Sequence, residues 1–183
     1  KTFQKRLLRQ PLNLITITRD SQEDVKFEMF ERLNTNITPL KVQELRNCLY
    51  RGTYNDFINK MVEQEYFRFI INVDKSRNLK TRMGDSELVL MFCAFFHKSP
   101  DHYNTNIKQM LNIDMRKYQN ISKNDILEIE KAFKKSVKLI KHIFGNRAFY
   151  MYSIDSETGT GRYSGAFNYG LYQILMYWFI GYS

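Results

Sequence analysis

Along most of this chain, apolar residues recur at steps of three and four, a spacing that predicts amphipathic helices. The longest such run, "NDILEIEKAFKKSVKLIKHIFG", predicts one long helix over residues 124–145. Ser122 and Asp125 predict a capped start for this helix, and Gly145 predicts its end. Its apolar stripe, which we expect to face the core, consists of Ile126, Ile129, Phe133, Val137, Ile140 and either Ile143 or Phe144.

Two further apolar segments predict buried helices. Residues 85–98, "DSELVLMFCAFFHK", are apolar almost all round, which predicts a central helix of the core. Residues 166–183, "AFNYGLYQILMYWFIGYS", predict an aromatic-rich buried helix. This segment is shorter than the about 20 apolar residues that span a bilayer, so we expect no membrane partner. Residues 156–165, "SETGTGRYSG", predict a loop because they are rich in glycine, serine and threonine.

The N-terminal part of the chain combines a strand pattern with helical patterns. Residues 12–20, "LNLITITRD", alternate and are rich in isoleucine and threonine, which predicts a strand. Residues 22–34 predict a short helix, and Thr38 with Pro39 predicts the start of the next, which Gly52 ends. The apolar face of the first of these helices holds Val25, Met29, Phe30 and Leu33.

Residues 73–84, "VDKSRNLKTRMG", form the clearest internal break because they are basic and polar. Further helical patterns lie on either side of it, over 53–71 and 106–118. We therefore expect two parts, residues 1–72 and residues 73–183. The fold class that these patterns predict is mainly α and multi-helical, with a short β element near the N-terminus.

The composition is that of a folded, basic protein. Of its 183 residues 43% are hydrophobic, and the formal net charge is +9 with a pI of about 9.5. A basic balance suits a polyanionic partner such as DNA, although it also serves solubility. Opposite the stripe of the long helix lie Lys131, Lys134, Lys135, Lys138 and Lys141. These lysines form either a solvated face or a face that follows a DNA backbone.

Little in the sequence points to catalysis or metal binding. His97, His102 and His142 are too scattered to suggest a metal triad, so no metal site is expected. The two cysteines lack CxxC spacing, which favours buried thiols in a reducing, cytoplasmic compartment. No Ser–His–Asp or Cys–His arrangement follows from the spacing, so the catalytic residues and the cofactor are both unknown at this level.

One stretch, "FERLNTNITPLKVQELRN" at 30–47, places Arg32 and Asn34 at the corner between two predicted helices. Arginine offers a planar fork of donors that suits phosphate, and asparagine can pair with a base edge or a phosphate. The alternative is structural, with Asn34 capping the first helix and Arg32 pairing with Glu31 or Glu44. The residues by themselves leave both interpretations open.

The same stretch resembles the signature of the N-terminal domain of GmrSD-type modification-dependent restriction enzymes, bacterial defence proteins in the ParB/sulfiredoxin-like superfamily. That signature is roughly F-x-R-L-N-x-x-G-x-P-L-x-x-x-E-L-R. The chain matches it at Phe30, Arg32, Leu33, Asn34, Pro39, Leu40, Glu44, Leu45 and Arg46. The resemblance covers residues 1–100, and the remainder shares only helical character. The family's D-G-Q-Q-R string, which lies upstream of this region, does not occur in these 183 residues.

The resemblance implies the C-terminal part of a ParB-like α+β domain over residues 1–72, followed by a helical extension. It implies a DNA-recognising phage-defence protein of restriction type, with Arg32, Asn34, Glu44 and Arg46 lining a cleft. For the full-length protein it implies nuclease or nucleotide-hydrolysing chemistry with a nucleoside triphosphate and a divalent metal. For this fragment it implies that neither cofactor is bound. The alternative is a helical interaction module without a role on DNA, which docks a second copy or a second catalytic domain.

Overall fold

A computed structural model describes residues 9, 11, 14, 16, 23–34, 39–71, 83–98 and 106–182. The chain divides into two compact units, Lys1–Pro39 and Leu40–Ser183. The described part is mainly helical, which confirms the predicted fold class, and its one small antiparallel sheet lies within residues 150–167. The strand predicted over 12–20 lies almost entirely outside the described residues. The boundary predicted between 72 and 73 falls within the second unit and stays a prediction.

The described part of the first unit contains one helix, α1, from Glu23 to Leu33. Its position confirms the helix that was predicted over 22–34, but its buried side differs from the predicted stripe. Phe27 is buried, whereas Val25 and Leu33 of that stripe are exposed. The apolar spacing therefore located the helix correctly and misplaced its buried face.

In the second unit, the described residues form seven further α-helices and one hairpin. In chain order these are α2 (Val42–Leu49), α3 (Thr53–Val62), α4 (Glu65–Ile71), α5 (Gly84–His97), α6 (Ile107–Lys117), α7 (Lys123–Phe144), β1 (Tyr150–Ile154), β2 (Gly161–Phe167) and α8 (Tyr169–Ile180). A short 3-10 turn over Gly145–Arg147 joins α7 to the hairpin. The helices predicted over 53–71, 85–98, 106–118 and 124–145 are all confirmed.

Helix α5 is the centre of the second unit, as its nearly continuous apolar sequence predicts. Every residue from Leu88 to Phe95 is buried, and α5 packs against α2, α3, α6, α7 and α8. Phe133 of α7 lies at the middle of an aromatic group, with ring centroids 4.8 Å from Phe92 and 5.6 Å from Phe67. This core fixes the faces of α7 and α8 that are left to the solvent.

Helix α7 confirms its predicted caps. Ser122 Oγ accepts the backbone N–H of Asp125 at 3.2 Å and donates to the carboxylate of the same residue at 2.8 Å. Gly145 ends the helix with a φ of 66°, in the left-handed region that favours glycine. The middle of the predicted stripe is buried, but Ile143 at its C-terminal end is 57% exposed.

Helix α2 begins later than the predicted start at Thr38–Pro39, and that prediction is wrong. The Glu44 carboxylate accepts the backbone N–H of Lys41 at 2.6 Å, which makes Lys41 the residue that precedes the first turn. The helix also ends at Leu49, before the predicted end at Gly52. The contact between Glu44 and the Lys41 amide therefore decides where the helix starts, whereas the sequence pattern favours a start at Pro39.

Gly52 serves instead as the N-cap of α3, with a φ of 156°. A Cβ atom at this position would overlap the backbone carbonyl group of Gln119, so only glycine permits the approach. The Gln119 carbonyl oxygen accepts the N–H of Tyr54 at 3.2 Å, and the Thr53 hydroxyl donates to the Ile121 carbonyl at 3.1 Å. The start of α3 is thus attached to the connection between α6 and α7.

The loop predicted over 156–165 is confirmed over 156–160, where it forms the turn of a hairpin, but it is wrong over 161–165, which belong to strand β2. Strands β1 and β2 pair antiparallel with Tyr152 opposite Tyr163, and Gly161 already belongs to β2. The turn is held by the Asp155 carboxylate, which accepts two backbone N–H groups. The aromatic run "YMYSI" before this aspartate is a hairpin signal that the glycine and serine content of the segment obscured.

The helix predicted over 166–183 is confirmed as α8, but the prediction that it is buried is wrong, because α8 is only partly buried. Tyr172 and Met176 are buried, whereas Ile174 is 57% and Trp178 is 65% exposed. The helix packs against α5 and α7. In the described part of the chain, no helix is both long enough and apolar enough to cross a membrane.

Candidate functional site

The four residues predicted to line a cleft belong to two different units, and Arg32 and Asn34 lie in the first. The backbone N–H and the side-chain Nδ2 of Asn34 both donate to the Phe30 carbonyl at 3.2 Å. Asn34 therefore closes the C-terminal end of α1. The Arg32 guanidinium lies 3.5 Å from the Glu28 carboxylate, and both side chains are mostly exposed. Arg32 is the one of this pair whose side chain extends into solvent.

In the second unit, Arg46 lies inside the protein with its side chain fully buried. Its Nε donates to Asn112 Oδ1 at 2.8 Å, and its Nη2 donates to the Lys108 carbonyl at 3.2 Å. Its Nη1 donates to Gln43 Oε1 and to Glu87 Oε1, both at 3.0 Å. These bonds join α2 to α5 and α6.

A buried guanidinium is tolerated only where its donors meet acceptors, and here they meet four. Glu87 is 34% exposed at its side chain, so the ion pair has one end near solvent. Glu44 is the other residue of this unit that was predicted to line the cleft, and its carboxylate accepts the Lys41 amide N–H at the start of α2. In the geometry of this unit, both residues hold α2 in place.

The lysines predicted to face DNA lie along α7, on the side opposite its buried stripe. Lys134 is partly covered, since its Nζ bonds to Glu130 at 2.7 Å and lies 5.5 Å from the centre of the Tyr66 ring. The other four are exposed, namely Lys131, Lys135, Lys138 and Lys141. We call these four the basic face of α7.

A buried polar cluster around Asp114 of α6 was missed by the sequence analysis. Asp114 Oδ2 accepts the Tyr54 hydroxyl at 2.5 Å, and Oδ1 lies 2.8 Å from His97 Nδ1. The His97 ring stacks on Tyr118 with the centroids 3.6 Å apart. The sequence shows His97 as one of three scattered histidines, but a histidine within an apolar run is itself a signal of a buried polar partner.

This cluster joins α3, α5 and α6 through side chains that are enclosed by the protein. Asp114 is 1% exposed, and Tyr54 is 0% exposed. Among the described residues, His97 Nε2 is buried and has no hydrogen-bond partner. No three His, Cys, Asp or Glu side chains in the described ranges come together as a metal ion would require. The cluster therefore connects three helices by polar contacts inside the core.

Several buried groups have displaced acid–base equilibria. Burial raises the pKa of the Tyr54 phenol well above its ordinary value, and the adjacent Cys93 and Asp114 raise it further. Burial, followed by the Asp114 charge, also raises the pKa of the Cys93 thiol. Tyr172 donates its hydroxyl to the Leu88 carbonyl at 2.9 Å, and burial raises its pKa well above the ordinary value. In the folded state these groups keep protons that an unfolded chain would release.

We therefore expect the protein to lose stability in alkali. Unfolded cysteine titrates near pH 9.0 and unfolded tyrosine near pH 10.0, so above that range the unfolded state binds fewer protons and the free energy of unfolding falls. Each proton that only the folded state retains lowers the free energy of unfolding by about 1.4 kcal/mol for every pH unit of increase. Urea denaturation between pH 8 and 11 measures the slope of the free energy of unfolding against pH. Tyr172→Phe should make this slope shallower by the contribution of one proton.

The control for this experiment is Ser136→Ala, which alters a buried side chain without a titratable group. It should shift the stability curve without altering its dependence on pH. Parallel curves for Tyr172→Phe and the unaltered protein would contradict the assignment of the retained proton to Tyr172.

Comparison with known proteins assigns no family to this chain. No protein-family model, curated protein or solved structure matches it. The resemblance to the GmrSD-type N-terminal domain therefore stays a prediction from the motif at residues 30–46, and the geometry described above is the basis for the proposals that follow.

Proposed function

We propose that this chain is part of a bacterial, cytoplasmic DNA-recognising defence protein of restriction type, and that the basic face of α7 contacts the DNA backbone. The observation that carries the proposal is the placement of Lys131, Lys135, Lys138 and Lys141 on the exposed side of one helix. They extend over about 15 Å of helix axis, which is enough to meet several phosphates in succession.

The charge of the chain supports the same proposal. The net charge of +9 favours approach to a polyanion, and no acidic residue occurs in the sequence between Glu130 and Asp155. Lysines that neutralise phosphates release counterions, so this mode of binding weakens steeply with salt. In the proposal, the exposed Arg32 provides a further phosphate contact, while Asn34 beside it supports the backbone of that corner.

The test is the salt dependence of binding to a fluorescein-labelled duplex of about 20 base pairs. Alanine at Lys131, Lys135 and Lys138 together should weaken binding at least about tenfold at moderate salt. It should also lower the slope of log affinity against log salt by about 2–3, because each phosphate contact contributes about 0.9. Fluorescence anisotropy measures both quantities.

A matched control removes the same charge outside α7, with alanine at the exposed Lys41, Lys60 and Lys108. This variant should bind DNA within about twofold of the unaltered chain, with the slope reduced by less than one contact. Equal losses in the two triple variants would mean that only total charge matters, and would contradict a defined basic face. Absence of duplex binding by the unaltered chain at low salt would overturn the proposal itself.

A second candidate function is a helical interaction module with no role on DNA. The specific observation in its favour is that Ile174 and Trp178 of α8 and Tyr182 just after its end are 57%, 65% and 65% exposed. Large apolar side chains grouped on one surface are typical of interaction sites. This candidate predicts protein binding through this surface and no binding of duplex DNA by the unaltered chain.

A further inference from the structure

We infer that the groove between α7 and α8 binds an amphipathic helix with acidic flanks from a partner protein. The groove is lined by Leu139 and Ile143 of α7 and by Trp178, Phe179 and Tyr182 at the end of α8. Lys135 lies at its edge. Its volume of about 570 Å³ is that of a site for several side chains rather than for a single small group. The inference specifies the partner of the second candidate function and does not rest on DNA binding.

The walls of this groove are apolar side chains that the core does not use. The stripe of α7 is buried from Ile129 to Ile140, but Ile143 one turn later is 57% exposed. Trp178 and Tyr182 of the other wall are both 65% exposed. Phe144 and Phe179 meet edge to face, with centroids 6.4 Å apart, so the two walls are already in contact.

The spacing of the wall residues matches a helical occupant. Leu139 and Ile143 are four residues apart on α7, and Trp178 and Tyr182 are four apart at the end of α8. Two such rows form a trough into which a third helix can place its own ridge of side chains. Tryptophan and tyrosine are also the residues that most often carry the binding energy of interfaces.

The charge around the groove selects an acidic partner. Lys135 lines the groove, and Lys138 follows on the basic face of α7. α8 contains no charged residue at all. A helix that carries Asp or Glu beside its apolar ridge would meet only positive charge along the part of α7 that follows Glu130. A second copy docked about a two-fold axis would instead bring the same lysines toward each other, because such an interface pairs a patch with itself.

The probe for the test is a fluorescein-labelled synthetic helix of about 18 residues, with leucine at the a and d heptad positions, glutamate beside them and alanine elsewhere. A second peptide has lysine at every glutamate position. The unaltered chain should bind the acidic peptide at least tenfold more tightly than the basic one. Ile143→Ser and Trp178→Ala should each weaken binding of the acidic peptide at least fivefold in fluorescence anisotropy.

Matched controls come from the exposed hairpin. Ile154→Ser and Tyr152→Ala remove similar side chains that are 67% and 54% exposed, and they should leave the affinity for the acidic peptide unchanged. Lys135→Glu should reverse the preference between the two peptides. Ile143→Ser should leave duplex DNA binding unaltered, so failure of the groove and failure of the DNA proposal give different results.

Four outcomes would overturn this inference. They are no binding of the acidic peptide at millimolar concentration, equal binding of both peptides, equal losses in the groove and hairpin variants, and self-association of the chain that Ile143→Ser abolishes. Sedimentation velocity at rising protein concentration measures the last of these. Binding to anionic lipid vesicles that Trp178→Ala abolishes, without binding of the acidic peptide, would assign the groove to a membrane surface instead.

Discussion

Replacing Arg46 with leucine is expected to lower the free energy of unfolding by about 3–5 kcal/mol. The arginine side chain is fully buried, and its guanidinium pairs with Glu87 at 3.0 Å. Leucine would leave Gln43 and Asn112 without the donors that they now accept from. Polar groups that lose their partner inside a protein account for most of such a loss. Urea denaturation followed by circular dichroism measures the change.

Arg51 offers a matched control because its side chain is exposed. Arg51→Leu should change the free energy of unfolding by less than about 0.5 kcal/mol. Arg46→Lys keeps the charge but loses the planar fork of donors, so it should give an intermediate loss. Similar losses for Arg46→Leu and Arg51→Leu would show that the buried network does not hold α2 in place.

The second large effect is expected from Asp114→Ala, at about 3–5 kcal/mol of lost stability. Two donors converge on this carboxylate, the Tyr54 hydroxyl at 2.5 Å and the His97 ring at 2.8 Å. Alanine leaves both without an acceptor inside the core, and each contributes about 1–3 kcal/mol to the loss. The cavity left by the carboxylate adds to it. Thermal and urea denaturation at neutral pH measure the change.

Two further variants separate the contributions within this cluster. Tyr54→Phe removes one hydrogen bond and keeps the ring, so we expect a loss of about 1–2 kcal/mol. Asp56→Ala removes an exposed carboxylate in the first turn of α3 and should lose less than about 1 kcal/mol. An Asp114→Ala variant no less stable than Asp56→Ala would rule out the cluster as a link between helices.

Helix positions could be predicted from the sequence more closely than helix ends. The patterns at 85–98 and 124–145 predicted α5 and α7, because a period repeated over many residues averages out local exceptions. The start of α2 depends on one contact between Glu44 and the Lys41 amide. The hairpin is hidden because the glycine and serine content of residues 156–165 favours a loop over the aromatic run of its first strand.

The polar contacts of the second unit could not be predicted from spacing. Arg46 meets Glu87 across 41 residues and Asn112 across 66, and Asp114 meets Tyr54 across 60. Periodicity shows which face of a helix is apolar, but not which helices pack together. The motif at residues 30–46 includes Arg46 among its matched positions, which singles this arginine out in the sequence. Its partners indicate that one reason for an arginine there is the joining of three helices.

The approach of Gly52 to Gln119 also bears on how the chain folds while it is being made. The first turn of α3 bonds to Gln119, whose side chain in turn bonds to the Arg51 carbonyl 68 residues earlier. A ribosome releases α3 long before it releases these partners. During translation of the helices in between, the first turn of α3 has open backbone groups. The connection between α6 and α7 has to emerge before that turn can be completed.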